Sequence, residues 1–303
     1  MFPAFLPPEV AHLSEDTSIQ LAGQIQQASI QLPASQSVQS TFVQAGSGDP
    51  PLLLLHGFDS SVFEFRRLLP QLALHHQTWA VDLLGFGFTD RQAVTTIDPT
   101  AIKLHLHNFW QQLIKRPVVL VGASMGGAAA IDFTLTYPEA VSRLVLLDSA
   151  GFAAGPAMGR LMFPPLDGWA TGFLRNPWVR RKISQQAYCD RSYVTPDAEL
   201  CATLHLQCPG WSTALISFTK SGGYNFLQDK IGNISRPTLI LWGQEDRILG
   251  TQDARRFEES IPESELVWIN HCGHVPHLEA PAATATAILN HLSQSPTNSP
   301  RTL

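Results

Sequence analysis

The stretch Val121-Gly122-Ala123-Ser124-Met125-Gly126-Gly127 decides how the rest of the chain is read. It follows the apolar run Pro117-Val118-Val119-Leu120 and leads into Ala128-Ala129-Ala130-Ile131. That is a buried strand, a Gly-x-Ser-x-Gly turn and a helix. Such a turn holds its serine in a strained backbone conformation, with the hydroxyl exposed above the sheet edge. Side chains in place of the flanking glycines would collide across the bend. A phosphate-cradling loop needs Gly-x-x-x-x-Gly-Lys-Ser/Thr; the spacing here is shorter and the lysine is absent.

Working outward, short apolar runs at Leu52–Leu55, Thr78–Val81, Val118–Val121, Arg143–Leu147, Thr238–Trp242 and Leu266–Ile269 predict strands. Val38–Val43 alternates like a further strand. Helical periodicity between them, as in Phe63–Leu74, predicts an α/β fold with a doubly wound, mostly parallel sheet. Sites in such sheets lie beyond the carboxyl ends of the strands. Residues 38–150 and 235–292 form the expected core, and residues 1–37 an N-terminal extension with a short helix near Ser14-Glu15-Asp16-Thr17. From 151 to 234 the alternation breaks into a segment rich in Gly, Pro and aromatics, read as an inserted, mainly helical cap. The plainer alternative is that it completes the outer helices. Residues 293–303, with three serines and two prolines, read as a disordered tail.

A serine hydroxyl attacks only when a neighbouring base accepts its proton. The base candidate is His274, in Asn270-His271-Cys272-Gly273-His274-Val275-Pro276-His277 after the last strand. Asp246, after the preceding strand, would fix its tautomer and stabilise the imidazolium. The order Ser124, Asp246, His274 suits a strand–turn–helix nucleophile, whereas serine nucleophiles on other folds use other orders. Asp148 ends another strand and competes with Asp246 for the acid role. Acyl transfer also needs two backbone donors for the developing oxyanion. The candidates are the amides of Met125 and of Phe58, in His56-Gly57-Phe58-Asp59-Ser60. His56 and Asp82 read as braces of their loops. His271 and His277 flank His274 without a His-Glu-x-x-His frame, so no metal site and no cofactor are expected.

Across 303 residues the formal net charge is -5, with 44% hydrophobic and 15% charged residues. The acidic balance argues against nucleic acid as a partner. No apolar stretch reaches the roughly 18 residues of a spanning helix. The four cysteines, Cys189, Cys201, Cys208 and Cys272, form no Cys-x-x-Cys pair and read as independent thiols. Oligomeric state is not legible in these residues.

Taken together, His56-Gly57-Phe58, Asp82-Leu83-Leu84-Gly85-Phe86-Gly87, Gly122–Gly127, Asp246 and Cys272-Gly273-His274 resemble the α/β-hydrolase superfamily, from about residue 38 to 292. A narrower resemblance is to the chlorophyll dephytylases of cyanobacteria and plant plastids. It rests on His56–Ser61, His107-Asn108-Phe109-Trp110, Arg116–Gly122, Tyr137–Val141, Ser221-Gly222-Gly223-Tyr224-Asn225 and Cys272–His277. Ala123 and Met125 stand where the plant proteins have Pro and Leu. The resemblance implies a serine esterase that removes phytol from chlorophyll through an acyl-enzyme on Ser124. It also implies a cytoplasmic enzyme in peripheral contact with the thylakoid membrane. A twenty-carbon isoprenoid alcohol needs an apolar groove, for which Phe152, Phe163, Trp169, Phe173, Trp211 and Phe218 are the candidates. A general carboxylesterase or lipase-like enzyme, or a C–C hydrolase, would use the same triad. A non-catalytic receptor is the alternative of a different class.

Overall fold

The computed structural model describes residues 1–152 and 166–294. Eight strands, β1 (Gln26–Gln31), β2 (Ser37–Ala45), β3 (Leu52–Leu55), β4 (Thr78–Val81), β5 (Val118–Ala123), β6 (Val141–Leu147), β7 (Thr238–Gly243) and β8 (Ser264–Ile269), form one sheet. Their order is β1-β2-β4-β3-β5-β6-β7-β8. The pairs β1/β2 and β2/β4 are antiparallel and all later pairs are parallel. The helices are α1 (Asp16–Gln24), α2 (Leu69–Leu72), α3 (Pro99–Phe109), α4 (Met125–Thr136), α5 (Leu166–Arg175), α6 (Pro177–Ala187), α7 (Pro196–Cys201), α8 (Trp211–Lys220), α9 (Gln252–Ser260), α10 (Pro276–Glu279) and α11 (Pro281–Ser293).

Parallel strands covered on both faces read as unbroken apolar runs, and the central strands follow that rule. Leu53 and Leu55 of β3, Leu120 of β5 and Ile240 of β7 join one core cluster. Leu52, Leu54, Val121 and Leu241 join the other. All four leucines of β3 are fully buried, each contributing roughly 2 kcal/mol relative to exposure.

The register sets up the site. Leu55 pairs with Gly122, Leu147 with both Ala123 and Leu241, and Gly243 with Ile269. The loops that follow β3, β5, β6, β7 and β8 therefore meet at one end of the sheet.

Three expectations change. The sheet begins within the expected extension, at β1, whose residues are polar enough to sit on an edge with only Ile30 buried. The helix expected over Phe63–Leu74 is a 3-10 turn at Val62–Phe65 followed by α2, with Pro70 in its first turn; proline supplies no N–H and belongs at a helix start. Ser293 ends α11, and the tail beyond 294 lies outside the described residues. Between β6 and β7 the described residues contribute helices and no strand. All four cysteines are free thiols.

Candidate active site

Ser124 sits between β5 and α4 with φ 52° and ψ −118°. A non-glycine residue there stores of order 1–3 kcal/mol of backbone strain. The frame that holds it is tight. Ser124 N–H donates to the Leu147 carbonyl at 2.9 Å, and its own carbonyl accepts from Gly127 and Ala150. A Cβ at Gly122 would run into the Gly126 carbonyl, and one at Gly126 into the carbonyls of Leu55 and His56. Both glycines are thus demanded by close approach of backbone to backbone.

His274 and Ser124 line the same cavity, of about 300 Å³. The His274 Nδ1 lies 2.9 Å from Asp246 Oδ2. Asp246 Oδ1 accepts the N–H groups of Ile248 and Leu249 at 2.7 and 3.1 Å. With a carboxylate oxygen facing it, Nδ1 is the nitrogen that carries the proton, which leaves Nε2 as the basic nitrogen. Asp148 is fully buried, and its Oδ1 accepts Gly243 N–H at 2.9 Å. One atom each from Asp148, Asp246 and His274 lies within 4.8 Å of the other two. Burial, with the Asp246 charge added, pushes the Asp148 carboxyl well above its usual range. Two carboxyls this close do not both ionise. Asp148 is the protonated partner.

The other histidines have separate duties. His56 Nε2 accepts Leu83 N–H at 3.0 Å while Nδ1 donates to the Gly57 carbonyl at 2.8 Å. Burial lowers it to about 4, so it is a neutral brace. Asp82 accepts the N–H groups of Val62 and Phe88 and ties the two loops together. His277 pairs with Glu64 at 3.0 Å, and His271 is exposed on a left-handed turn. Burial alone would raise the Glu64 carboxyl, but the bond and charge of His277 outweigh it and hold it at about 2. Glu64 also accepts Gly57 N–H at 2.9 Å, which fixes the loop carrying Phe58 beside Ser124. Both Gly57 and Phe58 line the cavity.

Several supporting residues escape sequence reasoning. Glu279 accepts Gly273, Cys189 and Asp190 N–H groups, and His274 N–H donates to Ala187 at the end of α6. Asp59 accepts from Arg180 Nη1 at 2.7 Å, Trp211 Nε1 at 2.7 Å and His205 Nε2 at 3.1 Å. Of the basic residues Arg175, Arg180, Arg181 and Lys182, Arg180 is thus turned onto Asp59. The aromatic groove candidates fare differently. Phe152 packs on Phe257, Phe218 packs on Phe58 and Phe86, and Trp211 is buried against Asp59. Phe173 is 61% exposed. None of these four lines the cavity, whose apolar wall comes from Phe58, Phe63, Ile183, Val194, Ile248 and Leu278. Phe163 and the side chain of Trp169 lie outside the described residues.

The model of the alpha/beta hydrolase family matches residues 52–287. The chain belongs to the alpha/beta hydrolase family. This alpha/beta hydrolase is 34% identical over 292 residues to the alpha/beta hydrolase domain-containing protein VTE7 of Arabidopsis thaliana, a match covering 92% of this chain and 87% of that one. It is 27% identical over 263 residues to the 2-hydroxy-6-oxo-6-(2'-aminophenyl)hexa-2,4-dienoic acid hydrolase of Metapseudomonas resinovorans, covering 85% and 88% of the two chains. Among solved structures, a thermophilic esterase from Thermogutta terrifontis superposes with a TM-score of 0.73 at 23% identity, over 88% of this chain and 98% of that one. That likeness is one of fold.

Proposed function

We propose that this alpha/beta hydrolase is a serine ester hydrolase working through an acyl-enzyme on Ser124. The observation that carries the reading is the His274–Asp246 pair at 2.9 Å, on the cavity that also holds the strained Ser124. Ser124 Oγ attacks the ester carbonyl while His274 Nε2 takes its proton. The amides of Phe58 and Met125 hold the oxyanion; Met125 is the first residue of α4, where a helix N–H has no intrahelical partner. His274 then protonates the leaving alcohol, and water activated by the same nitrogen clears the acyl group.

The substrate we assign is the phytyl ester of chlorophyll. The dephytylase-like motifs and the extensive likeness to a plant protein support it. The helices between β6 and β7 serve as the cap. A cavity of about 300 Å³ is at the small end for a drug-sized ligand, so it takes one part of such an ester while the rest lies along the cap. Phe173 and Trp178 are 61% and 65% exposed on α5 and α6, and Lys182 lies over the Trp178 ring. That face suits a cytoplasmic enzyme meeting the thylakoid surface. No described helix is long and apolar enough to cross a membrane.

Ser124→Ala is expected to lower ester hydrolysis by at least about a thousandfold with the fold intact by circular dichroism. Near-normal turnover would sink the mechanism. A panel of chlorophyll, simple alkyl esters and ring-cleavage dienoates tests the substrate. Preference for short esters would leave a general carboxylesterase, and turnover of the dienoates alone a C–C hydrolase. No fluorophosphonate labelling of Ser124 would point to a non-catalytic receptor.

A further inference from the structure

Gly57 is pinned on both sides of its Cα, and the two pins aim the Phe58 amide. On one side the Gly57 carbonyl accepts from His56 Nδ1 at 2.8 Å, the tautomer being set by Leu83 N–H at Nε2. On the other side the Gly57 N–H donates to Glu64 Oε2 at 2.9 Å. The Gly57 carbonyl and the Phe58 N–H belong to one trans peptide group, so they point in opposite directions. Fixing that carbonyl orients the plane that carries the donor, and fixing the Gly57 N–H orients the plane before it. A glycine without such anchors would be the freest residue of the loop, and this one lies against the nucleophile. A Cβ at Gly57 would lie 3.3 Å from Ser124 Cβ and 3.4 Å from Glu64 Oε1.

Glu64 reaches a second catalytic loop as well. It belongs to the 3-10 turn Val62–Phe65 and is buried. Its other oxygen, Oε1, lies 3.0 Å from His277 Nε2. His277 is in α10, which begins two residues after His274, and its ring packs on Phe65 with the centroids 5.5 Å apart. One carboxylate thus spans the loop after β3, with its oxyanion donor, and the segment after β8, with its base. A buried carboxylate is costly unless its oxygens are engaged, and both oxygens of Glu64 are engaged by these two segments. Held at about 2 against the effect of burial, the group is ionised near neutral pH and only accepts. It therefore offers Gly57 N–H an acceptor in every state of the reaction.

We infer that Glu64 is a positioning residue for the reaction. By holding Gly57 and His277 together it sets the spacing between the Phe58 amide and His274, so that oxyanion donor and base serve the same substrate carbonyl. It acts through those two residues and touches no reacting atom. The inference rests on the ester-hydrolase reading of Ser124 and is independent of which alcohol the ester carries. Its effect belongs to the transition state: the apolar wall of the cavity holds the ground-state ester, whereas the oxyanion needs the Phe58 N–H correctly aimed.

The test uses the full-length protein with para-nitrophenyl butyrate and with a trifluoromethyl alkyl ketone, which adds to Ser124 and places an oxyanion in the hole. Rates are expressed per Ser124 labelled by a fluorophosphonate at completion, so that a loss of folded protein does not register. Glu64→Met removes the acceptor while His56 still holds the Gly57 carbonyl. It should lower kcat about 10- to 100-fold with KM within about twofold, because misaiming a donor costs somewhat less than deleting it. The ketone should bind more weakly by a similar factor. Glu64→Gln keeps an oxygen for Gly57 N–H and should recover activity to within about fivefold of the wild type. Unchanged kcat and ketone affinity in Glu64→Met, a loss confined to KM, or equal losses in Glu64→Met and Glu64→Gln overturns the assignment. If Glu64→Met does not fold, His277→Leu carries the test from the other end of the link. There kcat should fall about 3- to 10-fold at unchanged KM, with a matching loss of ketone affinity, and wild-type values for both overturn the proposal. Failure of the hydrolase reading looks different: the wild type turns over no ester and Ser124 is not labelled, which removes the positioning role with it.

Discussion

Asp148 keeps its proton in order that Asp246 can keep its charge. The Asp148 carboxyl is buried against Asp246 and anchored by Gly243 N–H, so a proton between the two acids turns repulsion into a hydrogen bond. Asparagine offers the same shape, an oxygen for Gly243 and an N–H for Asp246, and tolerates the local φ of 40°. Asp148→Asn should therefore hold kcat/KM within about fivefold, whereas Asp148→Leu, which leaves Gly243 N–H and Asp246 without this partner, should lower it about 10- to 100-fold. Steady-state kinetics on any accepted ester decide the matter, and equal losses in the two variants would refute the proton-sharing account. The sequence shows Ser124, Asp246 and His274 by order and strand-end placement alone. It shows Asp148 only as a rival acid, because its contact with Asp246 arises from the β6–β7 pairing of Leu147 with Leu241, and sequence spacing carries no trace of that.

Three elements from between β6 and β7 converge on one residue after β3. Arg180 from α6, Trp211 from α8 and His205 from the turn at Leu204–Gln207 all donate to Asp59, the residue after the proposed oxyanion donor Phe58. Burial would raise the Asp59 carboxyl, but His205 and Arg180 overcome it and hold it well below the usual range. Arg180 Nη2 also donates to the Ala202 carbonyl at 2.9 Å, stitching α6 to the end of α7. Packing of these elements thereby fixes the backbone next to Phe58. Arg180→Met should slow fluorophosphonate labelling of Ser124 by about tenfold and lower the melting temperature, since breaking a buried pair costs about 3–5 kcal/mol. A lower melting temperature with an unchanged labelling rate would leave Arg180 a structural clamp alone. At this scale, the buried parallel strands are legible because runs such as Leu52–Leu55 have no polar residue to expose. The edge strand β1 is not, because Gln26-Gln27-Ala28-Ser29-Ile30-Gln31 buries one side chain and reads as a linker. Phe152, Trp211 and Phe218 are hydrophobic enough to serve as core, and packing uses them there.

For the molecule as a whole, the two-faced sheet concentrates buried titratable groups whose state depends on folding. His105 of α3 is fully buried, with Nε2 2.7 Å from the Ser40 hydroxyl of β2. Burial lowers it from 6.5 to about 4, and no acid pairs with it among the described residues. The folded protein then binds fewer protons than the unfolded chain between those two values, and stability falls as pH is lowered through that window. The contribution is complete above pH 6.5 and is lost by about pH 4, the loss amounting to about 3 kcal/mol. His56 acts in the same direction, while Asp82, raised by burial to about 7, acts in the opposite one, so the total pH profile is a sum of opposed parts. A difference between two proteins removes those parts. His105→Gln keeps an amide for Ser40 and removes the titration. At pH 7.5 the variant should be less stable than the wild type, through imperfect filling of the α3–β2 contact. By pH 4.5 the gap should close by about 2–3 kcal/mol or reverse, as read by urea denaturation at each pH. A gap that stays constant from pH 7.5 to 4.5 would show that His105 takes up its proton inside the folded protein, and that water reaches the α3–β2 contact.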